Sequence, residues 1–337
     1  MKTLLFTGWL GYIGSHTALV FLEQGYDVII LDNCSNSSVW VLETLEKLSG
    51  KKPQFYNCDL RNKKEVELIF WENYIDAVIH FAGAKAVGES CENPFYYYEN
   101  NIIGSLNLFG AMEKYNVKNI VFSSSANIYG HVWISPFRED ASTGETSNPY
   151  GTSKYIIERL LRDLFLQKSF KVVSLRYFNP IWAHSSWLLG EHANQKLGNI
   201  LPFILRVAKG EQERIEVYGN NYDTVDGTGV RDYIHVMDLA QGHKKAFEYL
   251  ENSSTSWFFE AINLGTGKGT SVLELIHIVE QETQRDIPYV IWPRREIDIA
   301  TAYCSPQKAK QLLWWQAHYS VKQAVMDSWN FIQKQKS

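Results

Sequence analysis

Cysteine is scarce and unpatterned. Cys34, Cys58, Cys91 and Cys304 are scattered, with no C-x-x-C and no histidine pairing. That argues against a disulfide framework and against a zinc site, so no metal is expected and a reducing compartment is. No run of like charge occurs, and the formal net charge is only −4; neither nucleic acid nor an anionic membrane surface is an expected partner, although single arginines can still hold a small anionic substrate. No stretch approaches the roughly 20 apolar residues of a membrane span. The apolar opening "MKTLLF" breaks at Thr7 and Gly8, too early for a secretory signal. The expectation is a cytoplasmic protein.

What is present is an alternation. Short apolar runs, "TLLFTG", "DVIILDN", "PQFYNCD", "DAVIHFAG", "NIVFSSS" and "KVVSLRYFN", are each followed by an amphipathic or capped stretch. Strands alternating with helices imply parallel βαβ units. The fold class is therefore α/β, a doubly wound parallel sheet, with ligands at the carboxyl ends of its strands. After about residue 180 the pattern turns irregular, with "IEVYG", "DGTGVRDYIHV" and the late helical stretches "SVLELIHIVEQE" and "SVKQAVMDSWNFIQKQ". Residues 1–180 read as a dinucleotide-binding domain and 181–337 as mainly a smaller substrate lobe, some of whose segments return to the sheet.

Two constellations carry chemistry. Gly8, Gly11 and Gly14 sit between a strand and a helix in "TLLFTGWLGYIGSH", where glycines let a pyrophosphate reach a helix N-terminus. Asp32, ending the second strand, is placed to accept the ribose hydroxyls of NAD and to repel a 2′-phosphate. In "NPYGTSKYIIE", Tyr150 and Lys154 lie four apart on one helical face. A nearby ammonium favours phenolate, so Tyr150 is a candidate general base with its pKa lowered by Lys154. Ser125, at the end of "FSSS", can bridge tyrosine and substrate.

These blocks, with "GYIGSH", "HFAGAKAVGES", "NPYGTSKY", "LRYFNP", "DGTGVRDYIHVMDLA" and "NLGTG", closely resemble the UDP-glucose 4-epimerase family of extended short-chain dehydrogenase/reductases, along nearly the whole chain. The resemblance implies Tyr150, Lys154 and Ser125 as catalytic residues. It implies tightly held NAD lined by Gly8, Gly11, Tyr12, Ile13, Gly14, Asp32, Asn33, Asn36, Ser37, Asp59, Leu60, Phe81, Ala82, Gly83, Lys85, Asn100, Ser125, Tyr150, Lys154 and Tyr177. For a UDP-sugar it implies Ser125, Tyr150, Asn179, Asn199, Ile200, Glu216, Val217, Tyr218, Arg231, Arg295, Asp298 and Ala302, and for the assembly a homodimer. The implied activity interconverts UDP-glucose and UDP-galactose through a 4-keto sugar, with transient hydride transfer to bound NAD. Ala302 stands where the family borders the sugar's 2-substituent, so UDP-N-acetylglucosamine is an expected second substrate. A sugar-nucleotide 4,6-dehydratase would need an acid and a base beside the serine, where this chain has Ala126 and Asn127.

Tryptophan, in contrast with cysteine, is abundant: 11 residues. Trp9, Trp182, Trp187 and Trp314 occupy places where the family pattern has glycine, and an indole at position 9 is expected to crowd the pyrophosphate. Ile297 departs beside Asp298 and is expected to reshape the diphosphate clamp. Two explanations of the tryptophans stand side by side: a catalytically impaired nucleotide-sugar sensor or scaffold, or a translation in which a codon read as glycine by the source is written as tryptophan. Ser125, Tyr150, Lys154, Arg231 and Arg295 are all intact, which favours the second.

Overall fold

The strands β1 (Thr3–Thr7), β2 (Asp27–Asp32), β3 (Gln54–Asn57), β4 (Ala77–His80), β5 (Asn119–Ser125) and β6 (Lys171–Tyr177) coincide with the six apolar runs of the sequence. They belong to a seven-stranded sheet in the order Phe258–Leu264, β6, β5, β4, β1, β2, β3, with every neighbouring pair parallel. The structure is a computed structural model, and it describes residues 2–130, 132, 134–181, 183–191, 199–295 and 298–334.

Burial on both faces follows from the alternation of side chains along a strand. Leu4 and Phe6 enter one core with Ile30, Val121 and Leu175; Leu5 enters the other with Ile29, Val78 and Phe122. Helices Tyr12–Glu23 and Val236–Asn252 cover the first face through Leu19, Leu22, Leu239 and Phe247. Helices Lys63–Glu72, Gly104–Lys114 and Pro149–Lys168 cover the second through Val66, Leu108 and Ile157. The strand Phe258–Leu264, from the region that reads as irregular, pairs along its length with β6.

A third core joins Leu201, Ile204, Val217, Leu275 and Ala324. It is built by helices Ile200–Lys209, Val272–Thr283 and Val321–Lys334 against the strand Ile215–Tyr218. The middle helix starts at a capping box between Ser271 and Glu274. No described helix is long and apolar enough to cross a membrane.

Candidate active site

The strand order reverses between β4 and β1, and a cleft opens there at the carboxyl ends of the strands. A doubly wound sheet places its ligands at such a reversal. The cleft begins at the turn after β1. Gly8 takes φ +67°, and a Cβ on it would lie 2.2 Å from the Cα of Ala82, so only glycine lets β1 and β4 end this close together. Gly11 precedes helix Tyr12–Glu23 with no side-chain cap. Bare amides at a helix N-terminus are what a pyrophosphate requires.

The cleft is lined by Gly8, Gly11, Tyr12, Ile13, Gly14, Asp32, Asn33 and Asn36, then by Asp59, Leu60, Phe81, Ala82, Gly83, Lys85 and Asn100, and at its far end by Tyr150, Lys154 and Tyr177. Asp32 is buried and receives the amides of Leu10 (2.8 Å) and Cys34 (2.8 Å). Ser37 does not line the cleft; its hydroxyl donates to Asp32 at 3.0 Å and steadies the carboxylate from behind. Asn33 and Arg61 both donate to Asp59, and the Arg61 bonds hold that carboxyl well below its usual range. These features fit a dinucleotide: uncapped amides for the phosphates, and a carboxylate at the ribose position.

Trp9 departs from expectation. Its indole is fully buried, edge-on to Phe6 at 5.6 Å, inside the core beneath the sheet rather than along the cleft. Its Cα and Cδ1 lie 2.8 Å from where a Cβ on Gly14 would stand, so the helix takes glycine at 14 to make room. The pyrophosphate turn is therefore not blocked by the indole, whose N–H is buried without a partner. Trp187 and Trp314 have φ of +59° and +52°, the left-handed conformation that suits glycine. Trp182 and Ile297 lie outside the described residues.

The far end of the cleft is assembled by two element boundaries. Asn148 caps helix Pro149–Lys168 by accepting from the amide of Gly151 (2.8 Å), and Pro149 starts it, placing Tyr150 in the first turn and Lys154 one turn on. Ser125 ends β5, and a Cβ on Gly151 would come within 3.0 Å of the Asn127 carbonyl, so the helix packs tightly on the serine's loop. Ser125 Oγ accepts from the backbone and side-chain amides of Asn127 and hydrogen-bonds Tyr150.

The electrostatics correct one expectation. Burial raises the Tyr150 pKa, and the Ser125 hydrogen bond opposes it. Lys154 turns its ammonium to the Ser123 carbonyl (2.8 Å), 4.9 Å from the Phe122 ring, and burial lowers it to about 7 against the raising effect of Glu158. The protein by itself does not depress the tyrosine, because the same dry surroundings disfavour both charges. Ser123 was not anticipated: its carbonyl holds Lys154, and its hydroxyl bonds Tyr177. Its signal was available, since positions 123 and 125 of a strand share a face.

The second group of expected residues sits on short strands. Val230–Arg231 pairs with Thr301–Ala302, setting Ala302 against Arg231, and Asn179 leads a strand paired with Tyr233–His235. Arg295 donates to Asp298 (3.0 Å) and stacks on Tyr218 (4.4 Å); Arg231 lies 4.0 Å from the same carboxylate. Glu216 accepts from Tyr218 (2.7 Å), while Val217 turns into the core. Asn199 donates to the Pro180 carbonyl and to Glu191, just before half-buried Ile200. Glu191 also pairs with Lys85 (3.2 Å), a link between the two groups that nothing in the sequence signals.

Ser125, expected along the cofactor, does not line the cleft and reaches it only through Tyr150. A parallel sheet, a dinucleotide turn and a tyrosine–lysine pair in one cleft, with a serine bonded to the tyrosine, define an extended short-chain dehydrogenase/reductase. A family model described as GDP-mannose 4,6 dehydratase matches residues 5–328. UDP-glucose 4-epimerase of Bacillus subtilis is 48% identical over 97% of this chain and 96% of its own length. That of Yersinia enterocolitica is 47% identical over 98% and 97%. The crystal structure of UDP-glucose 4-epimerase from Bifidobacterium longum, in complex with NAD+ and UDP, is 46% identical and superposes with a TM-score of 0.94 over 99% of each chain. The chain belongs to the UDP-glucose 4-epimerase family.

Proposed function

We propose that this chain is an NAD-dependent UDP-glucose 4-epimerase that interconverts UDP-glucose and UDP-galactose through a 4-keto sugar. The observation that carries the reading is Tyr150, set beside Lys154 and Ser125 at the end of a cleft whose other end is a dinucleotide turn. Bound NAD supplies a reversible hydride acceptor and, when oxidised, a positive charge. Tyr150 takes the proton of the sugar's 4-hydroxyl and later returns it. Ser125 orients that hydroxyl, and the positive charge of oxidised NAD, together with the Lys154 ammonium held at the Ser123 carbonyl, would favour the phenolate. Arg231 and Arg295, steadied by Asp298, hold the diphosphate; they grip the nucleotide and leave the sugar free to turn its other face to the cofactor. Asn127 serves to hold Ser125 and has no proton to trade, which sets this site apart from a dehydratase.

The same reading assigns cofactor binding to residues 1–180 and substrate binding mainly to 181–337. It places the protein in the cytoplasm as a homodimer, a role suited to the exposed apolar side chains of Phe95, Ile103 and Leu106. Ala302 is a small side chain beside Arg231, which leaves room for an acetamido group and extends the substrates to UDP-N-acetylglucosamine. The test is conversion of UDP-galactose to UDP-glucose by the purified protein. Conversion supports the reading; retained NAD without conversion identifies a sensor, and absence of both overturns the assignment.

A further inference from the structure

Helix Pro149–Lys168 carries a third buried ionisable group in register with the first two. Tyr150, Lys154 and Glu158 follow at four-residue spacing on one face and are 8%, 3% and 5% exposed. The first two line the cleft, whereas Glu158 is not among its lining residues. Its carboxylate is clamped on both oxygens: Arg176 donates from Nε at 3.1 Å and from its terminal nitrogen at 2.7 Å, and Ser174 donates at 2.7 Å. Arg176 is held in turn by the Tyr129 hydroxyl (3.1 Å), over whose ring it lies, and by the Glu139 carbonyl (3.3 Å).

A buried ion pair is a poor way to gain stability, since apolar side chains of similar volume often do as well or better. The arrangement calls for another purpose, and Lys154 supplies one. The lysine is buried, its ammonium bonded to the Ser123 carbonyl, in surroundings that favour its neutral form. Glu158, one helical turn along the same face, favours the lysine's charged form. Arg176 keeps that carboxylate fixed.

We propose that Glu158 is a positioning residue for the epimerisation: its clamped carboxylate, one helical turn beyond Lys154, sustains the lysine's ammonium in the cleft that Tyr150 also lines. The inference rests on the epimerase reading and adds to it a residue that touches neither cofactor nor substrate. The tests are the pH dependence of kcat and KM, and a 13C titration of the Lys154 side chain, in the wild type, in Glu158→Gln and in Glu158→Gln/Arg176→Met. The double variant avoids a buried, unpaired guanidinium and so guards against a failure to fold. If an ammonium is required, kcat falls as pH rises through the lysine's pKa. Losing the carboxylate should move that alkaline limb, and the 13C midpoint, down by on the order of one pH unit in both variants. At pH 8 kcat should then fall about tenfold, with KM for UDP-glucose within about twofold. A limb and midpoint that stay in place, or that return to the wild-type position in the double variant, overturn the proposal. The 13C midpoint needs no turnover, so an inactive wild type would refute the epimerase reading while the midpoint still decides this inference.

Discussion

Two adjacent tryptophans should respond to substitution with opposite signs. Trp314 closes helix Gln307–Leu313 in the left-handed conformation, φ +52°, with its indole 88% exposed. Holding a side chain there costs roughly 1–2 kcal/mol, which glycine avoids. Glycine gives back about 0.4–1 kcal/mol by loosening the unfolded chain, and the exposed indole forfeits little else. The net for Trp314→Gly is a gain of about 0.5–1 kcal/mol. Trp314→Ala keeps the backbone cost and should gain little. Trp315 is 4% exposed, sits in the main core and donates its indole N–H to the Asp238 carbonyl at 3.0 Å. Trp315→Ala should cost about 3–5 kcal/mol. Urea unfolding followed by circular dichroism reads all three as midpoint shifts at constant slope. A Trp314→Gly midpoint below wild type, or no higher than that of Trp314→Ala, would show that the left-handed backbone at Trp314 does not limit stability. The same geometry at Trp187 predicts that peptides of the protein isolated from its source read glycine at 187 and 314 by mass spectrometry.

Tyr150→Phe should lower turnover by about 10²–10⁴-fold while the purified variant retains NAD; near-normal turnover would remove Tyr150 from its role. Ala302→Tyr should abolish conversion of UDP-N-acetylglucosamine and spare that of UDP-glucose, as paired assays on one preparation would read; equal loss of both would remove Ala302 as the determinant. Burial lowers His16 and His80 to about 3 and His243 to about 4, from an ordinary 6.5. The unfolded chain therefore binds protons that the folded chain refuses, and this stability is lost as pH falls from about 6.5 toward 3–4. Each histidine contributes up to ~1.4 kcal/mol per pH unit in that window, so urea midpoints should drop steadily from pH 7 to pH 5; a flat profile would contradict the burial of these rings.

The central sheet was legible because strands buried on both faces must be apolar along their length, and the six runs from "TLLFTG" to "KVVSLRYFN" have no competing pattern. The seventh, "FFEAINL", has the same character, but its place beside β6 depends on pairing across more than 80 residues of chain. The cleft was legible because its lining residues follow strand ends, a rule of topology. The direction of a side chain was not: position alone sets Trp9 next to Gly8 without showing that the indole drops into the core against Phe6. Nor does four-residue spacing reveal that Lys154 spends its hydrogen bond on Ser123 or that Glu158 lies behind it. Lys85 and Glu191 meet from 106 positions apart, beyond the reach of any local pattern.

If one cleft holds cofactor, Tyr150 and sugar together, the hydrogen leaving C4 of the sugar is the one that returns to it. UDP-glucose carrying deuterium at C4, incubated with the purified protein in ordinary water, should yield UDP-galactose with the deuterium still at C4, as read by NMR. Product with ordinary hydrogen at C4 would mean exchange with solvent, and would contradict a cleft that holds cofactor, Tyr150 and sugar together through the reaction.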